Sequence, residues 1–484
     1  MFHPPIIFRI IGLLLLFEAT ALSGCMGLSL YYGERIVMAY IETLLCLIGS
    51  GLLLVMAGRK AKREISKKDG YIVVTLCWLI FSAFAGMPYY FSGYIPDVTD
   101  AFFEAVSGFT TTGASIIDNL EEFPYSLLFW RSMTQWIGGL GIVFFTVAIL
   151  PFWGMGNVPL LAAESVGPIR MKLHPQIAVT TRWILAVYII LTLAETICLM
   201  VAGMNLFEAV CHSMATVSTG GFSTRQASIA AFQSPAIEYI VTVFMFLGGT
   251  NLSLLYLSMI KGRPGKLLGD KEFRTYSFIV FMFVLLLTVG LLASEPMGIE
   301  EAFRISAFQT VTIITTTGFC MYDYMLWMPL LWLMVSLLMY IGACTGSTTG
   351  GIKCVRIRIL GRIIGYEFKK MMHPNLVSPI KLGDKVIQER IVISIVAFIL
   401  IYLLMIVLGM VVNMACGLDF LESYGLSLTS LGNVGPGLGY YGPANTMSSL
   451  PDVAKWFSCF QMLVGRLEFF AVFVLFTPAF WNER

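Results

Sequence analysis

Ten stretches of the chain are almost continuously apolar, over approximately 7–29, 36–58, 71–93, 126–151, 183–204, 236–260, 275–294, 327–345 with a broken continuation, 391–414 and 453–480. A helix needs about 20 such residues to cross the hydrocarbon layer, so the pattern predicts ten membrane crossings. Between the third and fourth, fifth and sixth, seventh and eighth, and ninth and tenth lies a further half-apolar segment. These four are too short and too rich in Gly and Thr to cross alone, and they read as re-entrant. Each opens on a predicted short helix, roughly 99–109, 206–216, 302–314 and 419–430.

The re-entrant segments repeat. They contain Thr110-Thr111-Thr112-Gly113, Val217-Ser218-Thr219-Gly220-Gly221-Phe222, Thr315-Thr316-Thr317-Gly318-Phe319 and Gly432-Asn433-Val434-Gly435-Pro436. Gly113, Gly220, Gly318 and Gly435 are separated by 107, 98 and 117 residues. One such peptide carries no information, whereas four at a near-constant period, each between two apolar spans, indicate an internal repeat. A second landmark keeps the register in the span after each loop: Gln135-Trp136-Ile137-Gly138-Gly139, Phe246-Leu247-Gly248-Gly249, Tyr340-Ile341-Gly342-Ala343 and Leu463-Val464-Gly465-Arg466. The expected fold is therefore an all-α polytopic membrane protein. Four helix, pore-loop, helix repeats stand in pseudo-fourfold arrangement around one axis, with two extra amino-terminal helices. The expected boundaries are 1–70 for the extension, then 71–151, 152–262, 263–388 and 389–484 for the repeats.

Four loops that bring Thr, Ser and Gly backbone to one axis supply the parts of a cation filter, because carbonyl oxygens replace the water that a dehydrating ion gives up. The short helices would aim their negative carboxyl ends at the same place. The expected filter residues are Thr111, Thr112 and Gly113; Ser218, Thr219 and Gly220; Thr316, Thr317 and Gly318; and Asn433, Val434 and Gly435. The run Gly342-Ala343-Cys344-Thr345-Gly346-Ser347-Thr348-Thr349-Gly350-Gly351 cannot hold a helix. It predicts a break in mid-membrane in the third repeat, a constriction or gate beneath the filter. Arg466 occupies the repeat position of Gly139, Gly249 and Ala343. On the axis it is an electrostatic barrier to cations, the reading favoured here; off the axis it pairs with Glu468 or caps a helix end. Glu195, Arg131 and Gln135 read as polar pairs between helices.

Composition narrows the class. Of the 484 residues 57% are hydrophobic and 12% charged, and the mean hydropathy is +0.82, which fits a polytopic membrane protein. A net charge of +2 excludes a strongly basic nucleic-acid binder. With the amino terminus in the cytoplasm, 25 of the 31 Lys and Arg residues fall on the inner side, as the bias of short loops requires. Most acids then fall outside, around the re-entrant segments, where they either line an outer mouth that concentrates cations or are simply left there because the bases are kept inside. Met1–Gly27 reads as a retained helix, and the ten cysteines, with no C-x-x-C pair, read as buried hydrophobes. His174 and His373 each precede proline and mark turns; His212 stands too isolated for a metal site. Four scattered histidines give no converging catalytic set, and Gly346–Lys353 is followed by Cys354, so no Walker motif is present. No enzymatic activity and no organic cofactor are expected. An obligatory proton- or sodium-coupled symporter is the alternative to a channel-like pathway, with Glu195, Glu208 and Glu468 as its carboxylates.

In the four loop motifs, the Gln135–Gly141 run, the Gly342–Gly351 interruption and Arg466, the chain resembles the bacterial Trk/Ktr/HKT superfamily of potassium transporters over nearly its whole length. The two extra amino-terminal spans match the Trk-type members and are absent from the KtrB type. The resemblance implies a potassium pathway with one filter glycine per repeat, a gate formed by the broken-helix loop with Arg466, and a homodimer in the bacterial inner membrane. It also implies a cytosolic nucleotide-binding partner of the TrkA kind, docked on the basic inner face. Members that favour sodium carry serine in place of a filter glycine, and none of the four is replaced here.

Overall fold

The chain is described by a computed structural model over residues 3–59, 66–141, 177–375, 381–382 and 385–482. The basic loop at 60–65, the continuation of the fourth apolar stretch past Gly141, and the His174-Pro175 turn lie outside the described residues.

Two long helices, Pro4–Tyr31 and Val37–Ala57, pack against each other, and the first also packs against the first repeat. After them one order of elements occurs four times. The outer helices are Lys67–Phe91, Ile177–Val201, Lys271–Ser294 and Glu389–Ala415. The pore helices are Val98–Phe109, Leu206–Val217, Ile299–Ile314 and Phe420–Gly432. A loop leads from each pore helix to an inner helix: Tyr125–Leu140, Pro235–Gly248, Pro329–Met339 and Asp452–Leu467.

Local chemistry sets where the pore helices begin. Asp97 accepts from the amides of Thr99 and Asp100, Asn205 from that of Glu208, and Asp419 forms a capping box with Glu422. Such side chains satisfy amides that the first helical turn leaves unpaired. The distribution of polarity is that of a protein dissolved in lipid. Outer helices expose apolar side chains, such as Phe278, Phe281 and Leu285 or Leu400, Leu404 and Val407. The pore helices bury polar ones, among them Ser107, His212, Ser213, Gln309, Thr312, Ser427 and Thr429.

Among the described residues, six helices are long and apolar enough to cross alone, and two bent pairs add two more. The expected spans 126–151 and 327–345 are a 16-residue and an 11-residue helix, the first running up to residues outside the description. The sequence marks a break in the third repeat alone, whereas the structure also breaks the expected spans 236–260 and 453–480. The second inner helix turns by 103° into Leu252–Ile260, the fourth turns by 109° into Phe469–Phe476, and the first ends at Gly141 with φ 84°. The third break is the longest glycine-rich run; the second spans Gly249, Thr250 and Asn251, and in the fourth Glu468 has φ 60°. In the third repeat Ile341–Gly342 and Ile352–Lys353 pair as short parallel strands, which closes the Gly342–Gly351 segment at its neck. The helix Cys354–Met372 then leads away from the membrane core, its last two turns exposed.

Candidate functional site

Each pore helix ends in the same backbone manoeuvre. Thr111, Thr219, Thr316 and Asn433 have left-handed φ values of 55°, 56°, 53° and 55°, and two residues later Gly113, Gly221, Gly318 and Gly435 have φ values of 82°, 79°, 79° and 106°. The amides between fold back on the pore helix: Thr112 on the Ser107 carbonyl at 2.9 Å, Gly220 on Ala215 at 2.8 Å, Thr317 on Thr312 at 2.9 Å and Val434 on Thr429 at 3.0 Å. These equivalences correct the sequence reading of the second loop by one residue. Gly221, not Gly220, stands where Gly113, Gly318 and Gly435 stand, and Gly220 matches Thr112, Thr317 and Val434. The extra glycine obscured the register, which the pairs Gly221-Phe222 and Gly318-Phe319 would have set.

The four loops close on one another in a ring. A Cβ on Gly113 would lie 2.2 Å from the Gly220 carbonyl oxygen, one on Gly221 1.8 Å from that of Thr317, one on Gly318 2.0 Å from that of Val434, and one on Gly435 2.8 Å from that of Thr112. Every contact therefore runs from one repeat to the next, the last returning to the first. Hydrogen bonds brace the ring from behind. Gln135 donates to the Gly220 carbonyl at 2.7 Å and accepts from the Phe222 amide at 3.0 Å. Asn433 donates to Thr112 Oγ1 at 2.9 Å and to the Met462 carbonyl at 2.9 Å, joining the fourth loop to the first. Thr110 with Thr112, and Thr315 with Thr317, pair their hydroxyls at 2.8 Å.

On one side of the ring lies an open cavity lined by all four left-handed glycines. Its lining includes Arg131 and Arg225, and two of the expected outer acids stand directly behind lining residues, Asp118 accepting from Thr446 and Glu121 from the Gln226 amide at 3.0 Å. Other carboxylates on this face are held in ion pairs: Glu104 with Arg131 at 2.7 Å, Glu208 with Arg225 at 2.6 Å, Asp100 with Lys455 at 2.5 Å and Glu238 with Arg304. Arg131 is the hub of this face. It lies fully buried over the Phe222 ring and donates to the Ser223 carbonyl at 3.0 Å and to Ser115 Oγ at 3.1 Å, so it ties the exits of the first two loops together. The Glu104→Ala variant leaves this guanidinium without its counter-ion and is expected to lose about 3–5 kcal/mol of stability, read as a lower unfolding temperature in detergent.

On the opposite side the Gly342–Gly351 loop seats directly against the ring. The Gly350 amide donates to Thr316 Oγ1 at 2.9 Å, and Thr219 Oγ1 donates to Thr348 Oγ1 at 3.0 Å. A Cβ on Gly350 would lie 2.3 Å from the Gly432 carbonyl oxygen. The loop thus touches the second, third and fourth re-entrant segments. Within it Ser347 Oγ donates to the Cys344 carbonyl at 2.6 Å, and Lys353 Nζ bonds both Thr349 oxygens. Its entry is bound to the second repeat, with Asn251 donating to the Thr345 carbonyl at 2.6 Å and the Leu252 amide to that of Gly346 at 3.1 Å. Arg466 completes the circuit: it donates to the Thr348 carbonyl and to those of Gly138 and Gly139 at 2.7 and 2.9 Å. It stretches from the fourth repeat over the loop to the end of the first inner helix. Glu468 pairs instead with Arg356 at 2.6 Å.

Of the three carboxylates considered for coupling, Glu208 and Glu468 are held in ion pairs. Glu195 is fully buried in an outer helix. His212 is hydrogen-bonded at both nitrogens, to the Glu208 carbonyl and Ser223 Oγ, and no group of metal-ligating side chains exists among the described residues. His373 closes the end of the exposed helix.

Comparison with known proteins gives this geometry a context. Residues 36–483 match the family described as TrkH, cation transport protein. The chain is 38% identical to the Trk system potassium uptake protein TrkH of Escherichia coli K12, over 99% of this chain and 100% of that one. It is 31% identical to the Trk system potassium uptake protein TrkG of the same organism, over 99% of each. The crystal structure of the potassium transporter TrkH from Vibrio parahaemolyticus superposes with a TM-score of 0.89 at 34% identity, covering 98% of this chain and 99% of that one.

Proposed function

We propose that this chain, which belongs to the TrkH family of cation transport proteins, takes up potassium across the inner membrane, in which it is a multi-pass protein. The ion path runs from the outer cavity through the four-loop ring. The observation that carries the reading is that ring: four left-handed glycines, each against a carbonyl of the next repeat. Close-set carbonyls substitute for the hydration shell of a monovalent cation, and the carboxyl ends of four pore helices add partial negative charge. Thr111, Thr112, Gly113, Thr219, Gly220, Gly221, Thr316, Thr317, Gly318, Asn433, Val434 and Gly435 form the filter, with Ser218 behind the second loop.

The Gly342–Gly351 loop with Arg466 is the gate. It lies against the ring on the side away from the cavity and carries a positive charge there. A homodimer and a cytosolic nucleotide-binding partner of the TrkA kind complete the assembly. The exposed helix Cys354–Met372, with Arg362, Lys369 and Lys370 at its surface, offers a basic platform joined directly to the gate.

The test is flux of potassium, rubidium and sodium through the purified protein in liposomes, each driven only by its own gradient. Potassium and rubidium flux exceeding sodium flux, with no proton gradient, is the expected result. Flux that appears only when protons or sodium move with potassium would replace the channel-like pathway by symport.

A further inference from the structure

Besides the ring, the second repeat and Arg466, the gate loop is fastened to a carboxylate of the third outer helix. Glu272 stands in the first turn of the third outer helix, where the Asp270 side chain caps the helix by accepting from the amides of Glu272 and Phe273 at 2.9 and 2.8 Å. Its Oε1 accepts from the Thr345 amide at 2.7 Å, the Thr345 hydroxyl at 2.9 Å and the Val355 amide at 3.3 Å. Thr345 is in the entry of the loop and Val355 is in the first turn of the helix that leaves it. One carboxylate oxygen therefore holds both ends of the segment that contacts the filter. One turn further along that helix, Arg358 Nη1 donates to the Lys271 carbonyl at 2.6 Å and to Thr275 Oγ1, so the same helix end also grips the base of the exposed helix.

We propose that Glu272 is the positioning residue that pins the gate loop shut and couples it to the helix Cys354–Met372. This rests on reading the loop as the gate. A displacement of that helix away from the third outer helix stretches the Val355 bond first. The Thr345 bonds end on the same oxygen, so this hold on both ends of the loop is lost together, leaving the entry to its bonds with Asn251 and Leu252. Hydrogen bonds to a charged acceptor are roughly twice as strong as neutral ones, so this pin is strong while seated. Glu272 makes no hydrogen bond to the four re-entrant loops among the described residues, so releasing it changes how often the path is open and leaves unchanged which ion passes.

The experiment uses the full chain in liposomes without a cytosolic partner. Glu272→Ala is expected to raise potassium flux about tenfold, with the potassium-to-sodium ratio unchanged. Glu272→Gln, which keeps an acceptor oxygen, is expected to restore flux to near that of the unmodified chain. Thr345→Ala removes one of the three bonds and is expected to give a smaller rise, about twofold, so the proposal remains testable if Glu272→Ala does not fold. Maleimide labelling of Cys344, buried within the loop, and of Cys354, buried at its exit, is expected to quicken in the same order. Arg466→Ala is run alongside. If it raises flux while Glu272→Ala and Thr345→Ala do not, the pin is wrong and the gate stands. If neither variant raises flux, the gate reading falls with it. A rise accompanied by lost ion discrimination would also overturn the proposal, because the residue would then be acting on the filter.

Discussion

Arg466→Ala is expected to raise partner-free potassium flux by at least about tenfold, the largest gain of function in the chain, because two effects of the side chain act in the same direction. Its guanidinium holds the Thr348 carbonyl of the gate loop to the Gly138 and Gly139 carbonyls of the first repeat. A hydrogen bond from a charged donor is worth about 1.5–3 kcal/mol, and each 1.4 kcal/mol taken from the closed state shifts the closed-to-open ratio about tenfold. The charge itself also opposes a cation on the path beneath the filter. Arg466→Lys separates the two, since it keeps the charge but not the planar fork that reaches three carbonyls. If tethering dominates, the lysine variant is expected to leak nearly as much as the alanine one; if the charge barrier dominates, it is expected to stay near the unmodified chain. Flux in Arg466→Ala equal to or below that of the unmodified chain would remove the residue from the gate.

That two effects converge on one residue was only half visible in the sequence. An arginine at a repeat position otherwise filled by Gly139, Gly249 and Ala343 signals an intramembrane charge, and the fourfold landmarks place it below the filter. Its acceptors come from residues more than a hundred positions away, and no periodicity reports them. The same division holds throughout. The pore helices were legible to within three residues: Asp97, Asn205 and Asp419 cap three of them, the third starts uncapped at Ile299, and Thr/Gly or Asn/Gly motifs end all four. The breaks in the second and fourth inner helices were not. Each turns by more than 100°, at Gly249-Thr250-Asn251 and at Glu468, where one or two glycines also suit close helix packing and only the long run in the third repeat demands a break. The partners of the buried acids were hidden for a related reason. Sidedness follows from the distribution of Lys and Arg, but whether a carboxylate faces a cavity or an arginine depends on tertiary packing. Glu104, Glu208 and Glu238 all face arginines.

The doubled glycine of the second loop yields the sharpest test of the filter. Gly221→Ser is expected to lower the potassium-to-sodium flux ratio about tenfold or more while the protein still folds, whereas Gly220→Ser is expected to reduce flux with a much smaller change in the ratio. At Gly221 the backbone has φ 79°, where a side chain costs about 1–2 kcal/mol, and the new Cβ would fall 1.8 Å from the Thr317 carbonyl oxygen. Neither atom belongs to a flexible chain end, so the second and third loops must move apart and the carbonyl spacing that matches a dehydrated ion is lost. At Gly220 the backbone is not left-handed, and a Cβ would meet the Gln135 amide group at 2.4–2.8 Å. That side chain can swing aside. Its departure frees the Gly220 carbonyl and the Phe222 amide, loosening one loop without driving an atom into the ring. The opposite pattern, with discrimination lost in Gly220→Ser and kept in Gly221→Ser, would mean that the ion reads the register suggested by the Thr-Gly motif. The correspondence of the left-handed glycines would then be a matter of packing alone.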